Sequence, residues 1–375
     1  MVSITGGTSA KLQTSSLDPP PHVLIGTPGR ILDHLDRGNL ILGQLNALVI
    51  DEADRLYDMN FGEQLEDIIR ALPRKRQSLL FSATLSPSIR DLARDTLKED
   101  STFVGVVDSA IPDTVTHYAL RVSTCDRNER FSNEKYDKLL SLVRALCEGG
   151  EPGIIFCNTR DRTDEVSQAL HREGLEVATL HGGMEQTDRS KSLTKLRCGT
   201  VHVLVATDVA ARGLDIDSLS FVVHMELPGE LTTFLHRCGR IGRAGRVGAS
   251  YLLADEQQED ELVQWRSDPG LEGDLPDLEW LSDAEAPQPA HSTITSPQFK
   301  LLVILAGKKD KLRKGDIIGG ICGETNLRGE QIGNIEILPN ATYVAIPYEE
   351  ARRIVDQLNN ARIKKKRRRV HLVKY

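Results

Sequence analysis

Short apolar runs recur along the first 254 residues, and each is followed by polar residues and then by a segment of helical periodicity. Continuous apolar runs are typical of strands that are buried on both faces of a parallel sheet. The pattern predicts two α/β sheets, joined near residues 111–114. The predicted strands lie at 23–25, 47–50 and 78–81 in the first sheet, and at 154–156, 177–180, 201–205, 221–223 and 251–253 in the second.

Residues 298–375 carry a different pattern, which predicts the order strand, helix, strand, strand, helix, strand. This is the split βαβ plan of ferredoxin-like domains. The segment before it, 255–297, is acidic and contains prolines, which predicts a terminal helix running into a linker. We therefore expect an α/β fold with domains at 1–112 and 113–256, a linker at 257–297 and a C-terminal domain at 298–375.

Charge is distributed unevenly along the chain. The 375 residues include 47 Lys and Arg against 54 Asp and Glu, for a net charge of −7. By segment, the net charge is −5 for residues 1–254, −11 for 255–297 and +9 for 298–375. A basic domain behind an acidic segment indicates a polyanionic partner that is bound mainly by the C-terminal end.

Several classes of protein are excluded by the sequence. No apolar run approaches the ~20 residues of a membrane span, and the N-terminus lacks a signal-peptide pattern. The six cysteines include no C-x-x-C pair, so neither a disulfide framework nor a zinc site is indicated. We expect a cytoplasmic protein with reduced thiols.

Polar motifs follow six of the predicted strands. In open parallel sheets, ligands bind at the carboxyl ends of the strands. One such motif alone would be read as a solvated loop, but six in register predict a functional rim. The motifs stand at 26–30, 51–54, 82–84, 158–160, 181–183 and 207–208.

Asp51 and Glu52 are adjacent carboxylates at the end of a predicted strand. One carboxylate of such a pair can hold Mg²⁺ while the other orients an attacking water. An acidic tetrapeptide also begins many solvated helices, so residues 51–54 alone leave both interpretations open.

The segment 236–245 places arginines among glycines. His236, Arg240 and Arg243 are spaced i, i+4 and i+7, so a helix would align them on one face. Guanidinium groups held in this way suit the charge of a transferring phosphoryl group. The alternative is a plain nucleic-acid patch.

These motifs resemble, in order, the later motif series of the DEAD-box RNA helicases. The resemblance covers residues 1 to about 254 and implies two RecA-like parallel-sheet lobes, the first incomplete, that close on ATP and single-stranded RNA. The matching segments are 27–30, 51–54, 82–84, 155–159, Gln186 with Arg189, 206–215 and 236–245.

The resemblance implies a role for each matching position. Asp51 would hold Mg²⁺, and Glu52 would position the hydrolytic water. Asp215 would contact the nucleotide, while Arg240 and Arg243 would reach the γ-phosphate. Coupling between nucleotide and RNA would fall to Asp54, Ser82, Thr84 and His236. The RNA backbone would be contacted by Gly6, Gly7, Thr27, Gly29, Arg30, Thr159, Gly182, Gln186, Arg189 and Thr207.

The C-terminal domain resembles the DbpA-type RNA-binding domain, an RRM-like βαββαβ fold, in segments 306–313, 316–319, 332–335 and 343–346. The resemblance implies a 23S rRNA hairpin in pre-50S particles as partner, and a role in assembly of the large ribosomal subunit. Only Tyr343 represents the strand aromatics of ordinary RRMs, so recognition is expected to use basic side chains. These are Lys308, Lys309, Lys311, Arg313 and the run 364–369, which includes Lys364, Lys365 and Lys366. Alternatively, the run is a flexible solvated segment, or one that binds polyanions without specificity.

The sequence departs from the family at its start, because no G-x-x-x-x-G-K-[ST] phosphate loop occurs in the 375 residues. We expect an ATP site with one wall absent, and a first sheet that exposes apolar surface and a strand edge. The interpretation favoured here is a fragment or mis-started frame of a monomeric ATP-dependent RNA helicase, which hydrolyses ATP poorly alone. The alternatives are an RNA-binding protein without ATPase activity, or an interaction scaffold.

Overall fold

The computed structural model describes residues 1–6, 10–82, 85–104, 114–123, 133–211, 219–267, 275–290 and 298–373. The chain divides into two compact units, Met1–Ser109 and Ala110–Tyr375.

The first unit contains two two-stranded parallel sheets among its described residues, one formed by β1 and β2 and the other by β3 and β4. The strands are β1 (Val2–Ile4), β2 (Leu24–Gly26), β3 (Ala47–Ile50) and β4 (Gln77–Leu80). The helices are α1 (Ala10–Ser16), α2 (Pro28–Asp36), α3 (Ala53–Asp58), α4 (Gly62–Arg70) and α5 (Pro87–Thr96). Strand β1 is an addition to the predicted set.

Each of these sheets packs one face against helices, and apolar side chains on the opposite face are exposed. Ile50 is buried against α4 and α5, whereas its neighbour Val49 is 59% exposed. Phe81, Ile25 and Val23 are also more than half exposed. Parallel sheets are ordinarily covered on both faces. The prediction that the first sheet exposes apolar surface is therefore confirmed.

The second unit begins with a seven-stranded parallel sheet in the order β11-β5-β10-β9-β6-β8-β7. The strands are β5 (Val115–Arg121), β6 (Gly153–Cys157), β7 (Val177–Leu180), β8 (Val203–Thr207), β9 (Phe221–His224), β10 (Gly248–Ala254) and β11 (Glu279–Leu281). The helices are α6 (Asn133–Cys147), α7 (Arg160–Arg172), α8 (Gln186–Arg197), α9 (Asp208–Ala211), α10 (Leu231–Cys238) and α11 (Glu256–Ser267).

The central strands of this sheet are the apolar runs of the sequence. Every residue of β6 and β8 is buried, as expected for strands covered on both faces. Gly153 is required at the start of β6, because a Cβ atom there would lie 2.1 Å from the ring of Phe221. The packing of β6 against β9 therefore depends on a residue without a side chain.

Part of the predicted linker 257–297 belongs to the sheet domain. Helix α11 is the terminal helix that the sequence predicts, whereas the edge strand β11, which pairs in parallel with β5, is unpredicted. The ring of Trp280 on β11 lies 4.6 Å from the guanidinium of Arg121. Beyond β11, Asp283 pairs with Lys138 of α6 at 2.9 Å. These contacts hold the acidic segment on the sheet.

The C-terminal domain follows the predicted order. It has a four-stranded antiparallel sheet in the order β13-β14-β12-β15, with two helices on one face. Its elements are β12 (Phe299–Ile304), α12 (Lys314–Glu324), β13 (Ile335–Ile337), β14 (Thr342–Pro347), α13 (Ala351–Asn360) and β15 (Val370–Leu372). Helix α13 buries Ala351, Ile354 and Leu358, which the helical period places on one face.

The described cysteines are free thiols, namely Cys147, Cys157, Cys198, Cys238 and Cys322. Cys125 lies outside the described residues. Among the helices that the structure describes, none has both the length and the apolar character that a membrane span requires.

Candidate nucleotide and RNA site

Asp51 and Glu52 form a strained turn between β3 and α3. Glu52 adopts the left-handed conformation, with φ 48° and ψ 51°. Its backbone N–H donates to Asp51 Oδ1 at 3.0 Å, and its carboxylate pairs with Arg55 at 2.6 Å. A non-glycine residue in this region costs roughly 1 kcal/mol or more, and such strain concentrates at functional sites. The turn keeps both acidic residues exposed at the end of the strand.

The exposed carboxylate of Asp51 fits a magnesium ion that is shared with phosphates. Mg²⁺ is usually held by one or two carboxylates together with phosphate oxygens and waters, and seldom by a cage of protein ligands. The described residues contain no cluster of three or more His, Cys, Asp or Glu side chains arranged for a metal. Asp51 is therefore a suitable single protein ligand.

Asp54 and Ser82 are brought together by the pairing of β3 with β4. The backbone N–H of Asp54 lies 3.3 Å from Ser82 Oγ and donates to it. Next to this contact, Ala53 donates its N–H to the carbonyl of Phe81 at 3.0 Å. The start of α3 is thus tied to the end of β4. Thr84, the third predicted coupling residue, lies outside the described residues.

Four of the residues expected to contact RNA in the first unit follow the neighbouring strands β1 and β2. Gly6 follows β1 and Thr27 follows its parallel neighbour β2, with no atom within 4 Å of a Cβ built on Gly6. Thr27 precedes α2 as its N-cap, and its hydroxyl makes no capping bond. Gly29 lies in the first turn of α2, and Arg30 donates to Gln13 at 3.1 Å. Gly7 lies outside the described residues.

A second group of residues expected to contact RNA lies at the carboxyl edge of the large sheet. Thr159, Thr207 and Gly182 stand at or just after the ends of β6, β8 and β7, which are neighbours in that sheet. Thr159 caps α7 by accepting from the N–H of Arg162 at 3.2 Å. Gln186 and Arg189 lie in the first turn of α8.

The expectation that a helix aligns His236, Arg240 and Arg243 is wrong. Helix α10 ends at Cys238, and Gly242 adopts a left-handed conformation with φ 72°. Arg243 begins a separate 3₁₀ turn, where its Nε donates to the carbonyl of Gly239 at 2.9 Å. The helix therefore stops at the C-cap Gly239, and the left-handed Gly242 turns the chain before Arg243. Asp215, the other predicted nucleotide contact, lies outside the described residues.

Arg237 is a central residue of this edge that the sequence reasoning missed. Its side chain is 1% exposed, and it contacts both oxygens of Asp208 at 2.7 and 2.8 Å. It also donates to Asn158 Oδ1 at 2.6 Å and to the carbonyl of Glu226 at 3.0 Å. Its guanidinium lies 5.2 Å from the ring of Phe156. One buried cation thus connects α10 with the ends of β6, β8 and β9.

The helical period of α10 could have indicated that Arg237 lies beside a buried face. Leu231, Phe234, Leu235 and Cys238 form the apolar face of α10, and Arg237 is one turn from Phe234. An arginine beside a buried stripe requires a buried partner, which Asp208 supplies from 29 residues away.

Two histidines are buried close to Arg237. His224 Nε2 lies 3.0 Å from Ser250 Oγ, and the Cys238 sulfur lies 3.7 Å from that nitrogen and 3.9 Å from His117 Nδ1. Burial lowers the pKa of His117 to about 4. Burial, with Arg237 and His117 nearby, holds the pKa of His224 well below its usual value. Both rings are therefore neutral at pH 7.

The folded chain is expected to lose stability as the pH falls from about 6.5 to 4. In this window the unfolded chain protonates His117 and the folded chain does not, so acid favours unfolding. The loss from His117 alone is about 3 kcal/mol at pH 4. Denaturant unfolding at pH 4.5 and pH 7 measures it. His117→Gln should flatten this part of the pH profile, and an unchanged profile would contradict the assignment.

The C-terminal domain has an open basic cleft of about 480 Å³, lined by Lys308, Lys311, Leu312, Arg313, Asp316 and Lys364. The loop before α12 supplies Lys308, Lys311 and Arg313, and the turn before β15 supplies Lys364. Of the other predicted RNA contacts, Lys309, Lys365 and Lys366 are exposed outside this lining.

The basic run 364–369 is packed on the C-terminal domain, so its interpretation as a flexible solvated segment is wrong, while binding of polyanions without specificity stays an open alternative. Ile363, which precedes it, is 0% exposed and forms a bridge with Lys366. Arg368 pairs with Asp310 at 2.6 Å, and its side chain is 11% exposed. The run is therefore anchored to the rest of the C-terminal domain at both ends.

The face of the C-terminal sheet that lies opposite its two helices is covered by the end of α8. Cys198, Leu301 and Ala345 are buried together there, with Tyr343 partly buried beside them. Arg197 pairs with Glu336 at 3.0 Å, and Asn334 Nδ2 donates to the Arg197 carbonyl at 3.0 Å. Ordinary RRMs stack bases on this face. The cleft, in contrast, is open to solvent.

Family models match three segments of the chain. They are DEAD/DEAH box helicase at residues 1–92, helicase conserved C-terminal domain at 134–245, and DbpA RNA binding domain at 302–372. The chain is 35% identical over 380 residues to "ATP-dependent RNA helicase DbpA" of Escherichia coli (strain K12), covering 100% of this chain and 78% of that protein. The chain belongs to the DEAD-box RNA helicases of the DbpA type.

Further similarities agree with this family. A protein of the same name in Bacillus subtilis (strain 168) is 32% identical, with 98% of this chain and 78% of that protein covered. The structure of S. cerevisiae Dbp5 bound to RNA and ADP BeF3 matches with a TM-score of 0.59 at 25% identity, covering 75% of this chain and 77% of that one. The predicted fold class, with RecA-like lobes and a C-terminal antiparallel domain, is confirmed. DEAD-box helicases of this type use ATP and bind RNA.

Proposed function

We propose that this chain is an ATP-dependent RNA helicase whose C-terminal domain anchors it to a structured RNA, a hairpin of 23S rRNA in pre-50S particles. In this role the protein is a cytoplasmic monomer that acts in assembly of the large ribosomal subunit. The observation that carries the proposal is the basic cleft of a domain that matches the DbpA RNA binding domain.

The roles proposed for the nucleotide site rest on the chemistry of its residues. Asp51 would hold Mg²⁺, which would neutralise phosphate charge when bound, and Glu52 would orient the attacking water. Arg240 and Arg243 would contact the γ-phosphate, with Asp215 on the nucleotide. His236, Asp54, Ser82 and Thr84 would transmit the nucleotide state, and the bond between Asp54 and Ser82 supports this for one pair.

RNA contacts are proposed in two places. The sheet edges would hold the RNA backbone through Gly6, Gly7, Thr27, Gly29, Arg30, Thr159, Gly182, Gln186, Arg189 and Thr207. Small side chains and backbone N–H groups allow close approach to phosphates without reading bases. The C-terminal anchor would use the cleft. The boundaries 1–112, 113–256, 257–297 and 298–375 remain our proposed domain division, with β11 added to the second domain.

Hairpin preference tests the anchor. The full chain is expected to bind a labelled 23S rRNA hairpin at least about tenfold more tightly than an unrelated hairpin of equal length, measured by fluorescence anisotropy at fixed salt. Equal affinity for the two hairpins would contradict a 23S anchor.

The same preparation tests the catalytic assignment. ATP hydrolysis by these 375 residues alone is expected to be close to background even with the hairpin, because they contain no G-x-x-x-x-G-K-[ST] loop. The helicase assignment of this chain therefore rests on its family, and not on turnover in this assay. Glu52→Gln, with the exposed Glu63→Gln as control, identifies any turnover that comes from this site. Robust hydrolysis that Glu52→Gln abolishes would show that the expectation of impaired activity is wrong.

A further inference from the structure

One of the four basic side chains in the C-terminal cleft is already paired with a carboxylate. Lys364 Nζ lies 2.9 Å from Asp316 Oδ2 and also donates to the Lys311 carbonyl. In the part of the chain that the structure describes, Lys308, Lys311 and Arg313 have no ion-pair partner. The cleft thus has three cations without an ion-pair contact and a fourth, Lys364, that is paired with Asp316; the same carboxylate also attracts the Arg313 guanidinium at longer range.

The position of the pair is fixed by the backbone. Asp316 Oδ2 accepts from the N–H of Arg313 at 2.9 Å and so caps the start of α12. Lys311 and Lys364 both adopt left-handed conformations, with φ 58° and 49°. Residues with side chains adopt this region rarely, and they keep it only where the surroundings impose it. The backbone at both lysines is therefore constrained, and the Asp316 carboxylate is held at the start of α12, where it lines the cleft.

The Asp316–Lys364 pair is not needed to attach the basic run. Arg368 and Asp310 already join the same two segments at 2.6 Å, and Arg368 is far less exposed than Lys364. Exposed ion pairs contribute little to stability. Hydrogen bonding to Lys364 lowers the pKa of Asp316, so its carboxyl is charged at neutral pH. The cap on α12 accounts for a polar side chain at position 316, but an uncharged Asn could also accept that bond, so the cap does not by itself account for the negative charge among the cations of the cleft.

We propose that Asp316 is a specificity-determining residue, which excludes phosphates from the Lys364 corner of the cleft. Phosphates can then occupy only the positions beside Lys308, Lys311 and Arg313. A folded RNA whose backbone geometry is fixed can match these positions and avoid the carboxylate. A flexible single strand samples positions next to Asp316 and is repelled there. The carboxylate selects between RNAs by a repulsive contact.

This inference rests on the proposed function of the C-terminal domain as an RNA anchor, and Asp316→Asn in the full chain tests it. The amide oxygen of Asn can still cap α12, whereas the negative charge is removed. The probes are a labelled 23S rRNA hairpin and a labelled oligouridylate of the same length. Asp316→Asn is expected to tighten oligouridylate binding about 3- to 10-fold and hairpin binding less than about 2-fold.

Asp310→Asn is the matched control. Asp310 also caps a turn, accepting from the N–H of Gly307 at 3.1 Å, and it pairs with a basic residue, but it does not line the cleft. The substitution Asp310→Asn removes the same charge from the same domain as Asp316→Asn. It is expected to change the affinities for the hairpin and for oligouridylate by less than about 2-fold. Equal gains from the two variants would attribute the effect to net charge and overturn the proposal, as would no gain from Asp316→Asn. Unfolding temperatures confirm that both variants are folded.

Failure of the anchor can be told apart from failure of this inference. If the domain does not anchor RNA, neutralising Lys308, Lys311 and Arg313 leaves hairpin affinity unchanged. If only the inference fails, that neutralisation still weakens hairpin binding, while Asp316→Asn leaves the hairpin preference over oligouridylate unaltered.

Discussion

Arg237→Ala is expected to destabilise the second unit by about 3–4 kcal/mol, because it leaves the Asp208 carboxylate without its cation. The side chain is 1% exposed, so its removal leaves a buried cavity beside the Asp208 carboxylate. Asn158 Oδ1 and the Glu226 carbonyl lose a donor in the same change. Asp208 is 20% exposed, which keeps the expected loss at the lower part of the range for buried pairs.

Urea unfolding followed by far-UV circular dichroism measures this effect. Arg172→Ala, which removes an exposed arginine from α7, is the control and should stay within about 0.5 kcal/mol of the original chain. Arg237→Lys keeps the charge but cannot donate to both oxygens of Asp208 and to Asn158 in one plane, so it should recover only part of the loss. A loss below about 1 kcal/mol for Arg237→Ala would show that the ion pair is not a major source of stability.

Replacing Lys308, Lys311 and Arg313 together by Gln is expected to weaken hairpin RNA binding on the order of 100-fold at low salt. These are the three cations of the cleft without an ion-pair partner among the described residues. Each phosphate contact that is lost also lowers the salt dependence, so the slope of log K against log salt should fall by about 2. Gln keeps much of the side-chain length while removing the charge.

Binding titrations at several salt concentrations give both quantities. A charge-matched control replaces Arg328, Arg352 and Arg362, three exposed arginines of the same domain that do not line the cleft. This control should weaken binding less than about 3-fold. Similar losses in both triple variants would indicate a diffuse basic surface in place of a defined cleft.

Most strands could be predicted from the sequence because a strand that is buried on both faces is a continuous run of apolar residues. The apolar runs at β6, β8 and β9 are buried in full, and the C-terminal elements lie within a few residues of their predicted positions. In contrast, β11 is three residues long and lies in an acidic segment. Its pairing with β5 is decided by contacts across more than 150 residues of chain. Such pairing leaves no periodic signal.

The residues that make up the candidate site could be predicted from the sequence, but part of their arrangement in space could not. The motifs placed Asp51, Glu52 and Thr207 at strand ends, where the structure has them. The helix expected through 236–245 was wrong because α10 ends at the C-cap Gly239 and the left-handed Gly242 turns the chain, although both glycines were visible in the sequence. The cleft forms because the turn at residue 364 lies next to the loop at 308–313. The count of charges along the sequence does not reveal that these two segments are neighbours.

The packing of α8 on the C-terminal sheet affects where the C-terminal domain can place a bound RNA. A domain on a loose tether would offer its RNA at an effective concentration averaged over the reach of the linker. Here Leu301 and Ala345 are buried with Cys198, and Glu336 pairs with Arg197, so the domain packs directly on the end of α8. While these contacts persist, RNA in the cleft would be offered to the ends of β6, β7 and β8 from one side, and the acidic segment would not set its distance.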